Sequence, residues 1–187
     1  MTKHEIVLMS ITGEDKPGVT SSLTEILSKH NATILDIGQA NIHQSLSLGI
    51  LFRLDPDMQG NILKDLLFKS YELGVNAKFT PIKREEYDAW VSRQGKESFV
   101  ITLLGQKIEA NQLSQVTQVI AEQGLNIDTI KRLTGRIPLD NDNDSDDRSC
   151  IELSVRGTPQ NLNLIHEKFV NLSGELDIDI SFQKDNI

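Results

Sequence analysis

The pattern of hydrophobic and polar residues predicts a strand followed by a helix at the start of the chain. Residues 5–12 form a run rich in Ile, Val and Leu that stops at Gly13, which is typical of a buried strand. Pro17 is expected at the first position of the helix, where its missing N–H costs nothing. Apolar side chains then recur at helical spacing and form one stripe at Val19, Leu23, Ile26 and Leu27, with His30.

Two further strands, a second helix and a fourth strand are predicted next. Residues 33–43 and 46–54 favour a β-hairpin with its turn at residues 43–45, and the second strand alternates apolar and polar side chains. A helical pattern follows and is expected to end at Gly74, before a strand at residues 75–82. The order β-α-β-β-α-β indicates a ferredoxin-like unit, with two helices on one face of a four-stranded antiparallel sheet.

The same pattern occurs a second time. Residues 99–105 match residues 7–13 at an offset of 92, and the apolar positions that follow match at an offset of 93. An internal repeat of this kind indicates two domains. The sequence therefore predicts an α+β protein with one βαββαβ unit in residues 1–82, a polar connector in residues 83–97 and a second unit in residues 98–187.

The second copy differs from the first in an acidic insertion at residues 138–147, which contains five aspartates. Its strands are expected at residues 125–135, 148–156 and 175–182, and its second helix is expected to begin at residues 158–159. The insertion starts like a calcium-binding EF-hand loop at Asp140. However, Ser145 replaces the glycine that the turn requires, and Ile151 replaces the bidentate glutamate. A solvated acidic hairpin tip is therefore preferred, and no metal site is predicted.

Composition places the chain among soluble globular proteins and disfavours nucleic acid as a partner. The 187 residues are 38% hydrophobic and 25% charged, with a formal net charge of −8, and acidic side chains outnumber basic ones in both copies. Surfaces that bind phosphate backbones are usually basic. No apolar run approaches the roughly 18 residues that span a bilayer, and no signal peptide is recognisable at residues 1–10. A cytoplasmic location without a membrane partner is expected.

The side chains that would carry catalysis have simpler structural explanations. Cys150 lies in an apolar run, where a small buried hydrophobic role is expected, and a single cysteine agrees with a reducing compartment. Asp177 and Asp179 are spaced like the Asp-x-Asp of aspartyl-phosphate phosphatases, but the last predicted strand accounts for both. The four histidines show no paired metal-ligand spacing. We therefore predict no catalytic residue and no cofactor in this chain.

The strand-to-helix loop of the first copy is the strongest candidate for a ligand site. It contains Asp15, Lys16, Pro17, Gly18 and Val19. The start of a helix has unpaired backbone N–H groups and a positive dipole, so it can hold a carboxylate. Proline and glycine keep bulky side chains away from that approach.

A second charged group would complete a site for an amino acid. Asp15, together with Asp36 or Gln39 on the second strand, is expected to receive an ammonium group. The structural alternative remains open that Asp15 caps the helix and Gly18 makes the turn. The matching loop of the second copy keeps Gly105 but lacks the Asp-x-Pro-Gly element, so the first copy is the better candidate.

Two βαββαβ units with Ile-Thr-Gly-Glu-Asp-Lys-Pro-Gly-Val at residues 11–19 resemble tandem ACT domains, which are small regulatory modules that bind amino acids. Residues 34–40, 46–51, 102–107 and 126–133 are similar to the amino-terminal region of bacterial phosphoserine phosphatases that carry two ACT domains. The resemblance implies feedback sensing of L-serine, or a related small amino acid, by residues 15–18, by Asp36 and, more weakly, by Gly105. It also implies a homodimer formed through the ACT domains.

In that family a haloacid-dehalogenase-type domain follows the ACT pair and hydrolyses O-phosphoserine with magnesium. The chain ends about where that domain would begin, so the resemblance implies that the catalytic residues and the magnesium lie outside these 187 residues. The alternative is a stand-alone tandem-ACT regulator that resembles the glycine-cleavage transcriptional repressor and acts through a protein partner. The sequence leaves both contexts open.

Overall fold

The structure is a computed structural model that describes residues 5–54, 59–94, 97–135 and 148–185. It divides into two compact units, Met1–Arg93 and Gln94–Ile187. The acidic insertion expected at residues 138–147 lies outside the described residues. Among the helices within those ranges, none is both long and apolar enough to cross a membrane.

The first unit contains one four-stranded antiparallel sheet, and one further helix follows its last strand. The elements in chain order are β1 (Glu5–Glu14), α1 (Val19–Lys29), β2 (Thr33–Ile42), β3 (Ser45–Leu54), α2 (Gln59–Leu73), β4 (Asn76–Ile82) and α3 (Arg84–Gln94). The strand order in the sheet is β2-β3-β1-β4. Strand β1 is hydrogen-bonded on both sides, while β2 and β4 form the edges.

The second unit repeats this topology. Its elements are β5 (Ser98–Gly105), α4 (Ala110–Glu122), β6 (Asn126–Arg132), β7 (Ser149–Arg156), α5 (Leu162–Leu176) and β8 (Asp179–Lys184). The strand order in its sheet is β6-β7-β5-β8. The two units confirm the predicted α+β class with two ferredoxin-like βαββαβ folds.

Each sheet buries one face under its two helices. In the first unit the alternate residues of β1 and β3 pack against the apolar stripes of α1 and α2. Full burial of one such side chain contributes about 1.5–3 kcal/mol, so this layer is the main source of stability. The fully buried members include Met9, Ile11, Leu23, Leu27, Leu48, Ile50, Phe52, Ile62 and Leu66. Phe99, Ile101, Val116, Leu153 and Ile165 belong to the corresponding core of the second unit.

Three predicted element ends are wrong, each for a local reason. Helix α1 begins at Val19 rather than at Pro17, because Gly18 takes a left-handed conformation (φ 95°) at the N-cap. Helix α5 begins at Leu162 because the side chain of Asn161 caps it and accepts a 3.1 Å hydrogen bond from Leu164 N. The same helix continues to Leu176 and ends at Asp177 (φ 52°), so the last strand starts at Asp179.

A β-bulge in β2 decides which face of the sheet its side chains occupy. The register places Ile34 opposite Phe52 and Asp36 opposite Leu51, with a shift between the two pairs. The bulge therefore moves Asp36 to the face that α1 and α2 do not cover, since Phe52 lies in the core and Leu51 does not. The same irregularity recurs in β6 between residues 127 and 129.

Gly13 is expected to be essential for the packing at the end of β1. A Cβ atom there would lie 2.9 Å from Val75 Cγ1 and 3.1 Å from Val75 Cα. We expect Gly13→Ala to lower the free energy of unfolding of the first unit by about 1–3 kcal/mol, because the backbone of residue 75 cannot move freely. Urea unfolding followed by the fluorescence of Trp90, the only tryptophan, measures this change.

Gly38→Ala is the matched control, because no atom lies within 4 Å of the added Cβ. We expect it to be neutral or to stabilise by up to about 1 kcal/mol through the lower entropy of the unfolded chain. Equal destabilisation by both substitutions would contradict the packing explanation.

Candidate functional site

The end of β1, the start of α1 and the facing ends of β2 and β3 surround an open cavity of about 370 Å³. Six of the eight residues proposed from the sequence line it, whereas Asp36 and Gly105 do not. The lining residues are Asp15, Lys16, Pro17, Gly18, Val19, Thr20, Ser21, Gln39, Asn41 and Leu46.

Asp15 does not cap helix α1, whereas Gly18 makes the turn, so one half of the structural alternative is absent and the other half is present. Its carboxylate accepts a 2.6 Å hydrogen bond from Asn41 Nδ2, and its backbone N–H donates to Gln44 O at 2.8 Å. The N-cap position belongs to Gly18, which has no side chain to offer. The first-turn N–H groups of α1 therefore receive no N-cap side chain and lie at the cavity, where an anion is favoured.

A row of polar side chains connects the start of α1 with the carboxylate of Asp15. Thr20 Oγ1 donates to Gln39 Oε1 at 2.7 Å, and Gln39 Nε2 donates to Asn41 Oδ1 at 3.5 Å. Asn41 then donates to Asp15. Sequence reasoning missed Thr20 and Asn41, although Asn41 lies two residues beyond Gln39 and must share its face of the strand.

The charged groups at this cavity are exposed. Lys16 Nζ lies 3.0 Å from Glu14 Oε2, and both side chains are at least half exposed, so this ion pair contributes little to stability. Within the part of the chain that the structure describes, the carboxylate of Asp15 is paired with the neutral amide of Asn41. The lining thus contains the anionic side chain of Asp15, the cationic side chain of Lys16 in its ion pair with Glu14, and the positive end of a helix dipole.

Asp36 lies outside this cavity, so of the two alternatives expected on the second strand, Asp36 or Gln39, Gln39 is the one that lines it. Residues three apart in a strand point to opposite faces of the sheet, so Asp36 and Gln39 cannot line the same cavity. Asp36 instead lines a second cavity on the other face, together with Trp90 of α3.

Gly105 of the second unit has a packing role of its own. A Cβ atom at this position would lie 2.8 Å from Ile178 Cγ2, just as Gly13 approaches Val75. The start of α4 also differs from the start of α1, because Gln112 Oε1 accepts a 2.7 Å hydrogen bond from the backbone N–H of Glu109. A cavity of about 490 Å³ lies beside Gly105, with Arg148, Asp177 and Asp179 in its wall.

The residues considered for catalysis are held by ordinary structural contacts. Asp177 ends α5, whereas Asp179 begins β8 and lies 4.0 Å from Arg148, so the two carboxylates belong to different elements. Cys150 is half-buried in β7 rather than fully buried. In the described ranges no three His, Cys, Asp or Glu side chains come together as possible metal ligands.

The chain is a tandem α+β protein with two consecutive ferredoxin-like units, and the first unit has a polar cavity at its first strand-to-helix loop. The sequence profile of the ACT domain matches residues 5–80, and an ACT-domain profile matches again at residues 97–183. The chain belongs to the ACT-domain family and carries two such domains in tandem.

Proteins with similar sequences include a phosphoserine phosphatase and a smaller protein. Phosphoserine phosphatase SerB2 of Mycobacterium tuberculosis is 35% identical over 129 residues, which cover 68% of this chain and 31% of the relative. The UPF0237 protein MK1213 of Methanopyrus kandleri is 30% identical over 71 residues, which cover 37% of this chain and 79% of that protein. The chain thus spans less than a third of the length of the phosphatase.

Two solved structures share the fold over nearly the whole chain. A protein of unknown function from Galdieria sulphuraria superposes with a TM-score of 0.76 at 16% identity, covering 98% of this chain and 99% of that one. A protein assigned as a glycine cleavage system transcriptional repressor gives a TM-score of 0.68 at 16% identity, with coverages of 97% and 98%. At this level of identity the likeness concerns the fold alone.

Gly18 has a left-handed backbone conformation, with φ at 95°. We expect Gly18→Ala to lower the free energy of unfolding by about 1–2 kcal/mol, because L side chains are strained at positive φ. The nearest atom to the added Cβ is Ser21 Oγ at 4.0 Å, so strain rather than a clash is tested.

Gly60→Ala is the control for this substitution, since Gly60 is helical and its Cβ would meet open space. It is expected to stabilise the unit by up to about 1 kcal/mol. The same urea titration measures the free energy of unfolding of both variants. If Gly18→Ala leaves this free energy unchanged, the explanation by backbone strain at residue 18 is wrong.

Proposed function

We propose that the chain is an amino-acid-sensing regulatory region whose first ACT domain binds a small amino acid, L-serine, at residues 15–21. The observation that carries this proposal is the pairing of two opposite charge preferences in one cavity. The uncapped start of α1 favours a carboxylate, and the carboxylate of Asp15 favours an ammonium group. An α-amino acid carries both groups on one carbon.

The neutral polar side chains of the cavity support serine as the ligand. Thr20, Gln39 and Asn41 provide hydroxyl and amide groups that can donate to or accept from a side-chain hydroxyl. The similarity to a phosphoserine phosphatase supports the same choice, because hydrolysis of phosphoserine yields serine. We therefore propose feedback regulation of a phosphoserine phosphatase in serine biosynthesis, with catalysis in a separate domain.

A homodimer through the ACT domains completes the proposed sensor. Strand β2 is at the edge of its sheet and forms one wall of the open cavity. Its Ile37, which shares a face of the strand with Gln39, is 47% exposed, so a second copy of the chain would cover apolar surface next to the ligand. Binding then regulates only if the ligand prefers one arrangement of the domains, and a coupling of about 1–3 kcal/mol is typical.

Calorimetric titration with L-serine tests the proposed ligand. We expect saturable binding to the full chain that Gly18→Val abolishes, because a β-branched side chain would both strain the loop and obstruct the approach to the helix. Asp15→Asn is expected to weaken binding while keeping a side chain of nearly the same shape.

Asp88→Asn provides the matched control, since it removes the same charge from an exposed position on α3. It should bind L-serine like the unaltered chain. The absence of detectable heat up to millimolar L-serine with the unaltered chain would disprove the proposal.

The reading frame beyond Ile187 tests the proposed enzymatic context. We expect it to continue into an apolar strand followed by Asp-x-Asp-x-Thr, the start of a haloacid-dehalogenase-type domain. A stop codon there would instead favour a free-standing regulator that acts through a protein partner.

A further inference from the structure

A second cavity of about 350 Å³ lies on the face of the first sheet that α1 and α2 leave open. Its floor consists of Leu8 and Leu51, which are opposite each other on β1 and β3, together with Ile82 at the end of β4. Helix α3 forms its roof through Tyr87 and Trp90. The cavity is therefore apolar at its base and aromatic at one side.

The two aromatic rings form a wall of the cavity. Tyr87 and Trp90 have ring centroids 5.8 Å apart and are inclined by 40° to each other. They are half-buried, whereas the other described side chains of α3 are exposed. The faces of such rings attract cations, most strongly for tryptophan.

Two carboxylates line the same cavity. Asp36 reaches it because the bulge in β2 places this residue opposite Leu51, and Glu86 belongs to the first turns of α3. Their hydrogen-bond donors are backbone groups, since Ile37 N donates to Asp36 at 2.9 Å and Lys83 N donates to Glu86 at 3.2 Å. Neither carboxylate forms an ion pair with any side chain of residues 5–54 or 59–94.

The lining is complementary to one class of ligand. An apolar floor, two ring faces and two carboxylates suit a positive charge carried on a compact apolar body. Among the residues that the structure describes, no Lys or Arg lines the cavity, which disfavours an anion as its ligand. An α-amino acid is disfavoured for the same reason, because its carboxylate would face Asp36 and Glu86.

We propose that this cavity binds an organic ammonium ion, in which an ammonium group is attached to a small aromatic or aliphatic body. The site is separate from the cavity at residues 15–21, because the two lie on opposite faces of the sheet. Asp36 and Glu86 hold the charge, and Tyr87 and Trp90 cover the apolar body. The first ACT domain thus has two sites with different ligand chemistry.

The fluorescence of Trp90 provides a direct test, because this residue is the only tryptophan of the chain and lines the cavity. The probes are phenethylamine, its neutral analogue 2-phenylethanol and the anion 3-phenylpropionate, each titrated into the full chain. We expect a saturable change with the amine, a response about 10-fold weaker in affinity with the alcohol and none with the anion. Equal affinities for amine and alcohol would overturn the role of charge.

Variants assign the binding to the named carboxylates. Asp36→Asn and Glu86→Gln each keep an oxygen acceptor for the backbone N–H, and each is expected to weaken binding of the amine roughly 2- to 5-fold, as for exposed charge pairs. Asp88→Asn, on the same helix, is the matched control and should leave the affinity unchanged.

Two further outcomes would refute the proposal. One is the absence of any saturable response of Trp90 to phenethylamine while the urea transition of the chain stays cooperative. The other is a change of Trp90 emission with protein concentration that the amine does not affect, because this would show that a second copy of the chain covers the face.

Discussion

The first unit depends on the burial of one face of a strand that is hydrogen-bonded on both sides. Strand β1 pairs with β3 and β4, and its alternate residues Val7, Met9 and Ile11 lie under α1 and α2. This layer holds the sheet and both helices together, since helices and strands of this length are not stable alone. The opposite face carries small residues such as Ser10 and Gly49, and α3 contributes Tyr87 and Trp90 to the cavity there. Strand β5 has the same position in the second unit.

The polar cavity follows from the way in which the chain leaves β1. Gly13 allows the end of the strand to pass close to Val75, and Gly18 starts α1 without a side-chain cap. The second unit has a similar close approach at Gly105. The start of its helix α4 differs from that of α1, because Gln112 accepts a hydrogen bond from the backbone N–H of Glu109. Two copies of one fold thus present different chemistry at equivalent loops, which is why the fold alone does not define the ligand.

The sheet of the first unit separates two kinds of environment. Gln39 and Asn41 point towards the start of α1 and belong to a hydrogen-bonded row that ends at Asp15. Asp36, three residues earlier than Gln39, lies among apolar and aromatic side chains on the other face. The alternation of side chains along a strand and one bulge are sufficient to produce this separation.

The sequence by itself determined the order of the elements, the internal repeat and the loop at residues 15–19, because periodicity and turn residues are local properties. Tertiary structure decided which residues meet across elements. The contact of Asp15 with Asn41 joins positions 26 apart, and the cavity that contains Asp36 and Trp90 requires a strand register and a helix packed on the sheet. The bulge at residue 35 has no signal in the alternation of Ile34, Asp36 and Ile37, since it arises from pairing with β3. The face of the sheet on which Asp36 lies is therefore set by the pairing of β2 with β3, and the sequence of β2 alone does not reveal it.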